Sequence, residues 1–102
     1  MNEFRFNGRI KEKPELIESE KGNKYCYVFI EVKRNYQDGE GNELYDNFKL
    51  TCFKAVAQEA AERLDKDVSV IVKGRIQENI YKQEDKEIAY RPELILEKIE
   101  YL

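Results

Sequence analysis

Tyr25, Tyr27, Phe29 and Lys33 occupy odd positions of the segment KYCYVFIEVKRNY, residues 24–36. Flat rings and a cation offer no bond-breaking chemistry. They offer stacking against other π-faces and attraction for anions. Cys26, Val28, Ile30 and Val32 take the even positions. Side chains of a strand alternate between its faces with a period of two residues. The even face therefore reads as an aliphatic core face. A face that met only water would be polar, so the rings on the odd face need another explanation.

Covalent chemistry has little to work with. The chain has no histidine, which removes the commonest general base and the Ser-His and Cys-His nucleophile pairs. Cys26 and Cys52 are the only cysteines, too few for a zinc site, and both fall on aliphatic faces as buried free thiols. We expect no enzyme, cofactor or metal. The 102 residues suit one domain, 1–102. No apolar run is long enough to span a membrane, and MNEFRFNGRIKEKPEL has no apolar signal core, so a cytoplasmic location is expected.

The elements that position these residues follow from the periods. The first strand is Phe4–Ile10, with Phe4, Phe6 and Ile10 on one face and Arg5, Asn7 and Arg9 on the other. Gly8 marks a bulge or bend within it. A polar connection with Pro14 and a Gly22-Asn23 turn leads to the second strand, which ends near Arg34. After the loop NYQDGEGNE, the third strand is Tyr45–Phe53; Phe48, Leu50 and Cys52 face inward. The period then becomes helical in KAVAQEAAERLDKD, through Val56, Ala57, Ala60, Ala61 and Leu64. Glu59–Arg63 and Glu62–Lys66 are spaced for acid-first ion pairs. The fourth strand, VSVIVKGRIQENIY, places Val68, Val70, Val72, Ile76 and Ile80 on one face, with Gly74 as a bend. KQEDKE is a charged hairpin tip, and the fifth strand runs from Ile88 towards Leu96, with Pro92 at an edge or bulge. Five strands with one short helix between the third and fourth fit an all-β, partly open barrel. A split sheet on one helix is the alternative.

The faces without aliphatic residues can now be collected. They carry Arg5, Asn7 and Arg9; Tyr25, Tyr27, Phe29 and Lys33; Tyr45, Lys49, Thr51 and Phe53; and Lys73, Arg75, Gln77, Asn79 and Tyr81. Glu31 is the one acid among these odd positions. The net charge of −3 argues against a nucleic-acid binder, but most of the acids lie elsewhere in sequence, so a locally basic, aromatic surface is expected. Such a surface suits single-stranded nucleic acid, whose unpaired bases expose π-faces. A hairpin centred near Gly39 would set Phe29 opposite Lys49, Tyr27 opposite Thr51, Tyr25 opposite Phe53 and Cys26 opposite Cys52. Tyr25 and Tyr27 could equally be buried against another subunit. Phe48 falls on the core face by parity.

FNGRI followed by KPEL, then VFIEVKR, LTCF leading into the helix, and VKGRIQENIY together resemble the bacterial single-stranded DNA-binding proteins. The resemblance runs from about Asn2 to Leu102. It implies an oligonucleotide-binding (OB) fold, a homotetramer or homodimer that uses the first strand, and little sequence preference, with strand protection in replication, recombination or repair. It implies stacking by Tyr36, Phe53 and Tyr81. A fourth platform falls on Asn47: either it is lost, or Phe48 or Tyr45 takes over through a local shift, and parity points to Tyr45. With Tyr27 and Phe29 added for stacking, and Lys33, Arg34, Lys49, Lys73 and Arg75 for phosphate contacts, these make the candidate interface. The absence of tryptophan implies somewhat weaker stacking per base. The family's acidic tail has no counterpart after LILEKIEYL, so partners recruited through a tail are not expected. A protein-interaction module of primosome or mobile-element type, its aromatic face covered by a partner protein, is the alternative function, and RNA binding a third.

Overall fold

The computed structural model describes residues 1–82 and 88–102, and the side chains of 1–79 and 91–102. Strands β1 (Phe4–Ile10), β2 (Ile17–Glu18), β3 (Lys24–Gln37) and β4 (Glu43–Phe53) precede helix α1 (Lys54–Arg63). Strands β5 (Ser69–Lys82) and β6 (Ile88–Tyr101) follow it. Neighbours run β1-β5-β6-β4-β3, and β1 pairs back onto β3. All pairings are antiparallel except β4–β6. This is a five-stranded OB-fold barrel with its helix between the third and fourth barrel strands. Two-residue β2 is an annex on the edge of β3, where Ile17 opposes Tyr25. No period can be read from two residues, so in the sequence it is indistinguishable from the connection around it.

The barrel is closed narrowly. β1 meets β3 only at Arg9–Glu31 and Ile10–Ile30. The rest of β1 keeps β5 on one side alone, from Phe4–Gly74 to Arg9–Ser69. Gly8 is not a bulge: its pairing with Val70 continues without a shift. It marks a close approach instead, since a Cβ there would lie 2.4 Å from the Glu31 carbonyl oxygen. Gly74 does coincide with the expected irregularity, a register shift against β6 between Lys73 and Gly74. Pro92 opposes Glu78 of β5 and lies beyond the two positions, Leu94 and Ile95, where β6 meets β4. It thus removes no ladder bond on that side. The expected tip KQEDKE falls largely on residues 83–87, outside the described residues.

The aliphatic faces converge as their period demands. Ile10, Val28, Ile30, Leu50, Leu64, Val70, Val72 and Leu96 are buried in one cluster with Ala57 and Ala60 of α1. Each large side chain taken fully out of water contributes roughly 1.5–3 kcal/mol. Phe48 joins this core from its rim and stacks on Phe6 with centroids 4.5 Å apart. Cys26 and Cys52 are directly opposed, buried and free. A hydrogen bond with Cys26 and burial hold the Cys52 thiol well above its ordinary range.

The helix is shorter than its periodic run, because Leu64 is already extended, with φ −89° and ψ 142°. Lys13 donates to the carbonyls of Ala61 and the cap residue Leu64 at 3.1 and 3.4 Å, which satisfies two of the acceptors at the helix's C-terminal end. The ion pairs expected along the helix give way to tertiary partners. Glu59 accepts the Tyr101 hydroxyl at 2.7 Å, while the Arg63 guanidinium lies 3.9 Å over the Tyr101 ring. Lys66 lies beyond the helix end. Burial, then Glu59, pushes the Tyr101 phenol up to about 12. A raised folded-state value means stability that is present below the free phenol's value of about 10 and lost as pH rises through the folded one. Tyr101→Phe should therefore melt below the parent at about pH 8, with the gap closing near pH 12. Thermal melts at both pH values test this, and an unchanged gap would show that the hydroxyl contributes nothing.

Candidate nucleic-acid interface

The β3–β4 ladder sets out the aromatic face. Tyr25 opposes Phe53, Tyr27 opposes Thr51, Phe29 opposes Lys49 and Lys33 opposes Tyr45, the register expected from a turn near Gly39. Tyr25 and Tyr27 meet edge to face at 5.9 Å, and the Lys49 ammonium sits 4.1 Å over the Tyr27 ring. A bulge between Lys33 and Gln37 ends the regular register.

Strand β6 extends this face across the barrel. Thr51 pairs with Ile95, and Ile95 pairs with Arg75, so one row runs Tyr27–Thr51–Ile95–Arg75 over four strands. Thr51 is 5% and Ile95 3% exposed, although neither belongs to the main core cluster. They form a small, closed floor between larger neighbours. Phe53 and Tyr45 are 44% and 50% exposed. Tyr27 and Phe29 are half-buried and line a groove of about 300 Å³ with Lys13, Pro14 and Ile17. The opposite wall is the connection that Lys13 pins to the helix.

The remaining candidates do not all share this face. Arg34 and Tyr36 lie in the bulge, where alternation no longer applies, and their contacts place them with Asp46, the partner of Val32 on the other side of the hairpin. Arg34 makes a bidentate pair with Asp46 at 2.8 and 2.7 Å and donates to the Tyr36 hydroxyl at 2.8 Å. Tyr36 is 56% exposed. Lys73 lies across the bend from Arg75, between Arg5 of β1 and Lys98 of β6. The Tyr81 backbone pairs with Ala89, and its side chain lies outside the described residues.

The face is less basic than its odd positions imply. Lys33 pairs with Glu43 at 3.2 Å, Lys73 with Glu3 at 3.4 Å and Arg75 with Glu97 at 3.4 Å, in addition to Arg34 with Asp46. Glu31 lies between Arg9 at 2.9 Å and Lys11 at 3.1 Å. The Lys11 hydrogen bond, with help from Arg9, holds its carboxyl below the usual range, as Arg34 holds that of Asp46. Acids of the same hairpin neutralise Lys33 and Arg34, and acids distant in sequence neutralise Lys73 and Arg75. Among the described residues Lys49 has its ring neighbour and no carboxylate partner. The sequence reading missed Lys24 and Lys54, which line a pocket of about 420 Å³ with Tyr25 and Phe53. Its signal for Lys24 was adjacency to the aromatic run; Lys54 was absorbed into the helix.

A five-stranded barrel with one helix and an exposed face of rings around Lys49 defines an OB-fold domain. Its sequence matches the single-strand binding protein family over residues 1–102, and the chain belongs to that family. It is 28% identical to single-stranded DNA-binding protein 1 of Clostridium acetobutylicum, covering all of this chain and 94% of that protein. It is 26% identical to single-stranded DNA-binding protein 3 of Listeria innocua over the whole chain, which spans 64% of that relative. It is 25% identical to single-stranded DNA-binding protein B of Bacillus subtilis over 99% of the chain and 89% of the relative.

Proposed function

We propose that the protein binds single-stranded DNA without catalysis and with little sequence preference. The observation that carries this is the register that gathers Tyr25, Tyr27, Phe29 and Phe53 around Lys49 on one outer face. Bases stack on the rings, and each stack contributes roughly 1–3 kcal/mol. Tyr45 extends the platform along the hairpin, and Tyr36 and Tyr81 are the further stacking residues of the proposal. Lys33, Arg34, Lys73 and Arg75 meet phosphates after exchanging their carboxylate partners. The family membership and the relatives' names support this reading. Protection of exposed strands in replication, recombination or repair is part of the proposal. Self-association is part of the proposal: β1 has no partner along one edge from Phe4 to Gly8 among the described residues, a template for a second copy.

The test is a titration with oligothymidine and with a matched duplex, following tyrosine fluorescence. With seven tyrosines and no tryptophan, stacking should quench the signal. Quenching and tighter binding by the single strand are expected. Equal binding to both would sink the proposal and favour a protein partner on this face.

A further inference from the structure

Two lysines at one end of the aromatic face share with Lys49 the lack of a carboxylate partner among the described residues and differ in this from the remaining candidate cations. Lys33, Arg34, Lys73 and Arg75 each hold a carboxylate within ion-pair distance. Lys24 and Lys54 hold none among the described residues. Glu18, directly opposite Lys24 in the ladder, makes no ion pair with it. Both lysines border the pocket whose floor is the opposed pair Tyr25–Phe53, with Ser19 and Asn23 on its rim. Lys54 takes a left-handed backbone, φ 54°, immediately after Phe53. That conformation is costly for a residue with a Cβ, and glycine adopts it freely.

The two groups of cations differ in what a phosphate gains from them. At a paired cation a phosphate displaces a carboxylate, and one anion replaces another. The freed acid then stands beside the strand and repels it. At an unpaired lysine the phosphate releases condensed counterions, which is the source of salt-dependent affinity. The pocket also provides rings for a base. The edge-to-face contact of Tyr25 with Tyr27 leads from it along β3 to Lys49.

We infer that Lys24 and Lys54 hold the phosphates flanking a base stacked at this end of the face. These two lysines, rather than the carboxylate-paired cations, then supply much of the salt dependence of binding. The inference rests on the single-strand reading above and adds the location of its electrostatic contacts.

The experiment compares the parent with a Lys24→Gln, Lys54→Gly double variant. Oligothymidine affinity is measured by tyrosine quenching across a series of sodium chloride concentrations. Removing one lysine–phosphate interaction makes the slope of log affinity against log salt shallower by about 0.7, so the double variant's slope should be shallower by about 1.4. Its melting temperature should be no lower than the parent's, since Lys54→Gly relieves the left-handed strain. A variant that melts normally, binds more weakly and shows the shallower slope supports this placement of the phosphate contacts. A variant with the parental slope overturns it, although the parent still binds. A parent that fails to bind overturns the functional reading as well. Should the glycine lower the melting temperature, Lys54→Gln in the same background gives the same comparison.

Discussion

Phe53→Ala should weaken oligothymidine binding by about 5- to 150-fold while leaving the barrel folded, the equivalent of one lost base stack of roughly 1–3 kcal/mol. Phe53 is exposed and lies outside the main core cluster, so its removal opens no cavity. It is the residue before α1, but its side chain makes no capping hydrogen bond, so alanine takes nothing from the helix. The structural cost is then limited to strand propensity, at most about 1 kcal/mol. On the binding side, Phe53 lies opposite Tyr25 and borders the pocket with Lys24 and Lys54. A ring there offers a base one full face. Phe53→Tyr should retain binding and Phe53→Leu should not, because leucine keeps the apolar area and loses the π-face. Affinities from tyrosine quenching, with a thermal melt for each variant, check this. A folded alanine variant that binds as tightly as the parent would move the interface off this face.

The second large effect is on stability. Gly74→Ala should destabilise the protein by about 3 kcal/mol or more, the upper end of overpacking costs. At 4–8 °C per kcal/mol for a domain of this size, the melting temperature should fall by roughly 12 °C or more. A Cβ at Gly74 would lie 1.9 Å from the Ile95 carbonyl oxygen and 2.7 Å from the Phe4 ring. The carbonyl is backbone in the neighbouring strand, so relief requires β5 and β6 to separate where their register already shifts. The same carbonyl belongs to the floor residue of the Tyr27–Arg75 row, so binding should weaken along with stability. Gly39→Ala is the control, because a Cβ there meets nothing within 4 Å. Calorimetric or circular-dichroism melts of both variants decide the matter. A Gly74→Ala protein that melts with the parent would mean that the strands part at little cost.

How far the sequence could be read depended on how local each feature is. The β3–β4 register was legible because two local signals combine: the alternation of Cys26, Val28, Ile30, Leu50 and Cys52 sets which faces meet, and the turn near Gly39 selects among alignments two residues apart. That alignment sets the outer pairs as well, down to Tyr25 against Phe53. Phe48 could be assigned to the core by the same parity. The bend at Gly74 was legible because glycine inside a long strand has few other uses. Gly8, expected as a bulge or bend, has no register shift and marks a close approach, since a strand crossing from β5 to β3 leaves the same glycine in the sequence as a bulge does.

Charge was where the sequence reading failed. By strand face the acids fall away from the cations, but β6 continues past Leu96 to Tyr101 and adds acids of its own to the barrel. Glu97 belongs to β6 and lies against Arg75, while Glu3 precedes β1 and reaches Lys73. Those pairs join residues far apart in the chain, and no period or turn announces them. Ile95 had no outward signal either. Its neighbours Thr51 and Arg75 come from β4 and β5, and only closure of the sheet turns an isolated isoleucine into the floor of a shared face. The sequence by itself therefore determined the five barrel strands, their inner and outer faces and the aromatic rows of β3 and β4, because alternation follows from burial and the hairpin register from its turn. Only the tertiary structure decided which cations stay free for phosphate. Electrostatic pairing depends on distance in space, and in a barrel the nearest strand in space is often remote in sequence.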